Sequence, residues 1–111
     1  MKLSFILKDS NYKLSQFNQE EINDLENSIF LKQTAKSSNY YINCLVRNKD
    51  IQLKPEEVIR QLYLRVLHQR YGYPFSRMQI EYPVSFGREK KKADIVIFDR
   101  DKPTIPYIIK L

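Results

Sequence analysis

Charged side chains gather at three places in this sequence where chemistry is possible. Asp94 lies inside the apolar run Ala93-Asp94-Ile95-Val96-Ile97-Phe98. An ionised carboxylate in such a run is costly unless it is paired, hydrogen-bonded or bound to a metal. It reads either as a turn cap or partner of Lys90, Lys91 or Lys92, or as a ligand for a divalent metal at the start of a central strand. Glu56 and Glu57 follow Pro55 and open a helix, whose positive end favours acids. On the helical wheel Glu56 lies beside the apolar face, next to Arg60 and Leu67. Glu57 lies amid the polar half near His68, so Glu56 is the acid expected to reach a site on the sheet. Arg60 borders the same apolar face and sits four residues after Glu56, the spacing of an ordinary helical ion pair. Arg88 with Lys90, Lys91 and Lys92 makes a solvated loop on one reading and a set of phosphate contacts on the other. His68 reads as a surface residue.

Other chemistries are excluded by composition. One cysteine, Cys44, and one histidine, His68, cannot build a zinc cluster or an H-E-x-x-H site. A metal here must be held by carboxylates, which points to magnesium or manganese. Two glycines cannot write a phosphate-binding glycine loop. No apolar run approaches a membrane span, and the opening Met1–Asp9 segment is too short in apolar residues for a signal peptide. A cytoplasmic location is expected. The net charge is +6, and it is uneven. Residues 54–92 hold nine Lys and Arg against four Glu, a net +5 suited to a polyanion.

The elements that must position these residues follow from the pattern. The chain has 111 residues, 42% hydrophobic and 29% charged, which is one small domain with a modest core. Residues 1–17 read as an extended arm or short strand. Asn18 and Glu21 have the spacing of a capping box. Ile22, Leu25 and Ile29 then mark a helix over about 19–33, followed by a polar loop at 34–39. Residues 40–46 and 51–53 read as a hairpin, completing a lead-in over 18–54. The helix over 55–71 has Val58, Leu62 and Val66 at the centre of its apolar half, Leu64 among its polar residues, and Gly72 to end it. Alternation at 78–86 predicts a strand with one buried face. Pro83 cannot donate to a ladder, so that strand is at an edge or the proline nitrogen points outward. A charged loop over 87–92 leads to a strand at 93–98, and a third strand begins near 106. The expected packing sets the Val58/Leu62/Val66 face on an antiparallel meander.

The blocks Pro55-Glu-Glu-Val-Ile-Arg-Gln61, Tyr71-Gly-Tyr-Pro74 and Phe86-Gly-Arg-Glu-Lys-Lys-Lys-Ala-Asp-Ile-Val-Ile-Phe98, in that order, resemble the N-terminal domain of the restriction subunit of type I restriction enzymes. The likeness covers about residues 17–109. It implies an incomplete restriction-endonuclease-like core of α+β class. In the complete fold a crossover helix and a further strand follow the meander. It also implies a magnesium-dependent DNA endonuclease. Asp94 matches the aspartate of the second strand, and Glu56 or Glu57 matches the helix glutamate, with Asp94 and Glu56 as the metal ligands. The metal of such a site lowers the pKa of bound water and stabilises phosphate charge. Arg60, Arg88, Lys90, Lys91 and Lys92 would contact DNA. The sequence departs from the family pattern at the third strand, Tyr107-Ile-Ile-Lys-Leu111. Lys110 is the lysine of the Glu-x-Lys motif only if Ile108 replaces the acid, and isoleucine binds no metal. Otherwise the motif lies beyond residue 111. Either way, these residues alone are expected to be inactive. The implied partners are double-stranded DNA and the methyltransferase and specificity subunits of a restriction-modification complex. The alternative is a non-catalytic module that docks DNA or the methyltransferase.

Overall fold

The computed structural model describes residues 2–101 and the backbone of 106–109. The side chains of Val84, Phe86, Lys90 and Lys91 lie outside that description. In chain order the elements are helices α1 (Leu3–Ile6) and α2 (Gln19–Asn27), strands β1 (Phe30–Gln33), β2 (Ser38–Cys44) and β3 (Lys49–Gln52), helix α3 (Pro55–Gln69), a 3-10 turn at Phe75–Arg77, and strands β4 (Met78–Phe86), β5 (Glu89–Phe98) and β6 (Pro106–Ile109). The strands form two antiparallel sheets, ordered β1-β2-β3 and β4-β5-β6. The class is mixed α+β, and the long helix is followed by the expected meander. Among the described residues no helix is long and apolar enough to cross a membrane.

Helix α3 is the axis of the structure. Pro55 starts it, and Gly72, at φ 73°, ends it by donating its N–H to the His68 carbonyl at 3.1 Å. Two sides of α3 are buried, not one. Val58, Leu62 and Val66 pack with Leu3, Leu25 and Ile42 of the N-terminal unit. Leu64 and Leu67 pack with Met78, Ile95 and Ile97 of the meander. This corrects the expected packing, which put the Val58/Leu62/Val66 face on the meander and Leu64 among polar neighbours. A single apolar stripe describes a helix with one buried side. Leu64 was the trace of the second side.

The N-terminal unit departs from the sequence reading in two places. Residues 1–17 are not an extended arm. Leu3, Leu7 and Phe17 are buried, and the Leu3 N–H donates to Glu26 Oε2 at 2.9 Å. The 3,7 spacing puts both leucines on one face of a turn too short to show a stripe. The helix begun by Asn18 stops at Asn27, and Phe30–Gln33 is a strand, not the helix end expected over 28–33. Pairing with β2 sets its conformation, with Phe30 opposite Tyr41 and Lys32 opposite Asn39. A tertiary partner overrides helix propensity in so short a segment. The capping box is present in both directions, Glu21 N–H to Asn18 Oδ1 at 2.8 Å and Asn18 N–H to Glu21 Oε1 at 2.9 Å. Glu21 is buried and also meets Arg70 at 2.6 Å, while Asp24 meets Arg65 at 3.0 Å. These pairs fasten α2 to α3.

The β2–β3 hairpin forms as expected. In β3 the Asn43 amide and the Lys32 ammonium hold the Asp50 carboxyl below its ordinary value. Its contribution is complete above the usual carboxylate range and is lost as the pH falls through its lowered pKa. The β4–β5 connection is shorter than expected. Phe86 pairs with Glu89, so the loop is only Gly87 and Arg88, and Glu89–Lys92 already belong to β5. Gly87, at φ 63°, supplies the positive φ that a two-residue hairpin needs at its first position. Pro83 lies in β4, an edge strand, as its missing N–H requires.

Leu64 tests the two-sided burial. On a polar face Leu64→Ala would shift stability by no more than about 0.5 kcal/mol. Burial against Met78 and Ile95 makes the expected loss about 2–5 kcal/mol, read from urea unfolding.

Candidate functional site

Position 57 lies seven residues before Leu64 and three before Arg60, on the stripe of α3 that faces the meander. Burying Leu64 therefore buries Glu57, Arg60 and Gln61 as well. This reverses the expected roles of the two glutamates. Glu57, expected in the polar half, is buried, and Glu56, expected to reach the sheet, has a side chain 63% exposed. Glu57 Oε1 accepts from Arg60 Nη1 at 3.0 Å and from Arg47 Nη1 at 3.2 Å, and Oε2 accepts from Gln61 Nε2 at 3.1 Å.

Arg60 collects the remaining acids. Its Nη2 lies 3.4 Å from Glu56 Oε1 and 3.5 Å from Asp94 Oδ1, and its Nη1 lies 3.6 Å from Glu81 Oε1. Charge-assisted hydrogen bonds run near 2.7–2.9 Å, so the Glu57 contact is the firm one and the other three are looser ion pairs. Arg60 itself is buried, which removes it from the phosphate contacts expected of it. Asp94 is half-buried, with its side chain 20% exposed, and is the sixth residue of β5 rather than the first of a strand. A cleft of about 140 Å³ lined by Gln52, Lys54, Glu56, Glu57, Arg60 and Glu81 opens beside the cluster.

Glu81 and Arg47 were missed in the sequence. Glu81 takes φ 54°, a left-handed conformation that costs a non-glycine residue about 1–2 kcal/mol. Its neighbours Ile80 and Tyr82 pair with Ile95 and Ala93, and the register sets Glu81 against Asp94 at the one rung that is not formed. A loop read as Gly87-Arg88 would have revealed this, because a two-residue turn there fixes position 81 opposite 94. Arg47 stood in a polar turn and gave no signal.

The other candidates are dispersed. Arg88 and Lys92 are exposed at the β4–β5 end, while the side chains of Lys90 and Lys91 and all of Lys110 lie outside the described residues. His68 is exposed, stacks on Phe75 at 4.1 Å and contacts the Tyr73 carbonyl through Nδ1 at 2.8 Å. Magnesium does not fit this arrangement. The four carboxylates converge on a guanidinium, and among the described residues no three His, Cys, Asp or Glu side chains group as a metal cage.

Asp94 of the middle strand and Glu57 of α3 both contact Arg60. The family model described as the type I restriction enzyme R protein N terminus (HSDR_N) matches residues 55–110. The chain belongs to this family. No curated protein and no solved structure gives a significant match. The matched region of this R-protein N-terminal chain begins at α3 and includes Glu57, Arg60, Glu81 and Asp94.

Arg60 and Asp94 should respond differently to substitution. Arg60→Ala leaves the buried Glu57 with Arg47 as its remaining charged partner, and the expected loss is about 3–5 kcal/mol. Asp94→Asn breaks a 3.5 Å contact to an arginine still held by Glu57, and should stay within about 1 kcal/mol of the parent. Guanidinium denaturation of both variants is the measurement.

Proposed function

We propose that these residues are the DNA-binding N-terminal portion of a type I restriction-subunit nuclease domain, and that as these 111 residues they bind DNA without cutting it. The observation that carries the reading is the meeting of Asp94 from the meander with Arg60 in the second turn of α3, 3.5 Å away, within a chain of the R-protein N-terminal family. Asp94 is the acid assigned to the reaction. Glu57, with three donors on its carboxylate, is assigned to structure. Magnesium enters this reading only with ligands beyond the described residues, because Arg60 fills the space between the acids. That neutralised cluster is also what favours the non-catalytic alternative for these residues, a module docking DNA or a methyltransferase subunit.

Binding is assigned to the β4–β5 end, where Arg88 and Lys92 are exposed and Lys90 and Lys91 complete the basic run. Duplex affinity measured by fluorescence anisotropy should fall with a log–log salt slope of about −3, as for three to four phosphate contacts. The Lys90→Glu, Lys91→Glu, Lys92→Glu variant should abolish it. Supercoiled plasmid should remain uncut with Mg²⁺ or Mn²⁺. Binding that survives the triple change would assign the surface to a protein partner, and nicking would overturn the non-cutting assignment.

A further inference from the structure

A second basic surface lies at the far end of β5. The 3-10 turn and the residues after β5 enclose a trough with two bays, of about 490 and 440 Å³, and Ser76, Arg77 and Arg100 line both. Tyr71 borders the first bay and is 67% exposed, and Gln79 borders the second. Arg77 stacks over the Tyr73 ring at 5.6 Å, which fixes its direction. Its Nε is buried and has no hydrogen-bond partner among the described groups. Arg100 is exposed. Asp99 lines the second bay, and among its contacts Oδ1 accepts the Asp101 N–H at 2.8 Å.

We infer that this trough binds the backbone phosphates of a single nucleic-acid strand, with Tyr71 stacking on an unpaired base. Two guanidiniums lining one trough match phosphate oxygens, and Arg offers its donors in a fixed fork. The exposed Tyr71 ring selects between the forms of the strand. A duplex keeps its base faces stacked inside, whereas a single strand can lay one on an aromatic surface. The trough is also distinct from the β4–β5 end. Lys92 and Phe98 stand six positions apart along β5, about 20 Å at the usual rise. The inference rests on the reading of this chain as a DNA-binding protein and adds to it a second site with a different preference.

The test is anisotropy with a labelled oligothymidylate of about 12 nucleotides, a length within the usual span of one such site, beside the labelled duplex. Arg100→Glu, at an exposed position, should weaken the single strand about tenfold or more and the duplex less than about threefold. Tyr71→Ala should weaken the single strand about fivefold and leave the duplex unchanged. Arg77→Lys keeps the charge but loses the fork, and should also weaken the single strand, which guards against a folding defect in any one variant. If all three leave single-strand affinity within twofold while the triple lysine change still abolishes duplex binding, the trough is overturned and the DNA reading stands. If the parent chain binds neither duplex nor strand, that reading falls and the trough falls with it. Displacement of the oligonucleotide by polyglutamate at equal charge concentration would overturn the nucleic-acid assignment in favour of an acidic protein segment.

Discussion

A helix buried on two sides must bury some of its charged residues, and the Glu57–Arg60 pair is how α3 does so. Both side chains are under 10% exposed, and their closest contact is 3.0 Å. Removing such ions from water costs several kcal/mol each, offset only when the geometry is good and the other polar atoms are satisfied. Glu57 meets that condition with donors from Arg60, Arg47 and Gln61. Arg60 draws in Glu56, Glu81 and Asp94, while its Nε stays buried with no hydrogen-bond partner among the described groups. The pair is therefore the joint of the molecule. Arg47 brings the turn after β2 to it, and Glu81 and Asp94 bring the two leading strands of the meander. Every residue of the candidate site is placed by the need to surround one buried ion pair.

The sequence made the two strongest patterns legible. The helix at 55–71 and the alternating strand at 78–86 are long enough for their periods to be unambiguous, and both formed. Asp94 was legible because an acid in an apolar strand contradicts its surroundings. The rest was hidden for physical reasons. Leu64 looked misplaced because the wheel assumed one buried side, and the same assumption exchanged the roles of Glu56 and Glu57. Phe30–Gln33 has no period of its own, and only its partner strand makes it β. Glu81 could be reached only through the length of the β4–β5 turn, a single-residue judgement that moves every cross-strand partner.

The cluster around Arg60 divides its acids by commitment. Four carboxylates meet two arginines, Arg47 and Arg60, so the cluster is negative by two although the whole chain is positive by six. Glu57 is bound most tightly and is least free to change partner. Glu56 and Glu81 are more than half exposed, and water screens them. Asp94 stands between these cases. It is shielded enough for its charge to be felt, and its contact with Arg60 is a loose one at 3.5 Å. Under the proposed function, the acid assigned to reaction is thus separated from the acid that maintains the fold, even though both face the same guanidinium.

The order of charges along β5 gives this separation a direction. Exposed Lys92 stands two residues before Asp94, about 7 Å away, and Phe98, at the margin of the Arg77/Arg100 trough, stands four residues after it, about 13 Å away. In the proposed arrangement a polyanion is attracted at both ends of the strand and meets net negative charge in the middle. In that arrangement attraction at the ends fixes where the polyanion lies, and the acids around Arg47 and Arg60 oppose the approach of its phosphates to Asp94. Phosphate and carboxylate can approach one another only when further positive charge enters between them. In the proposed arrangement the acid cluster that surrounds the buried pair would therefore also oppose unassisted chemistry at a bound polyanion.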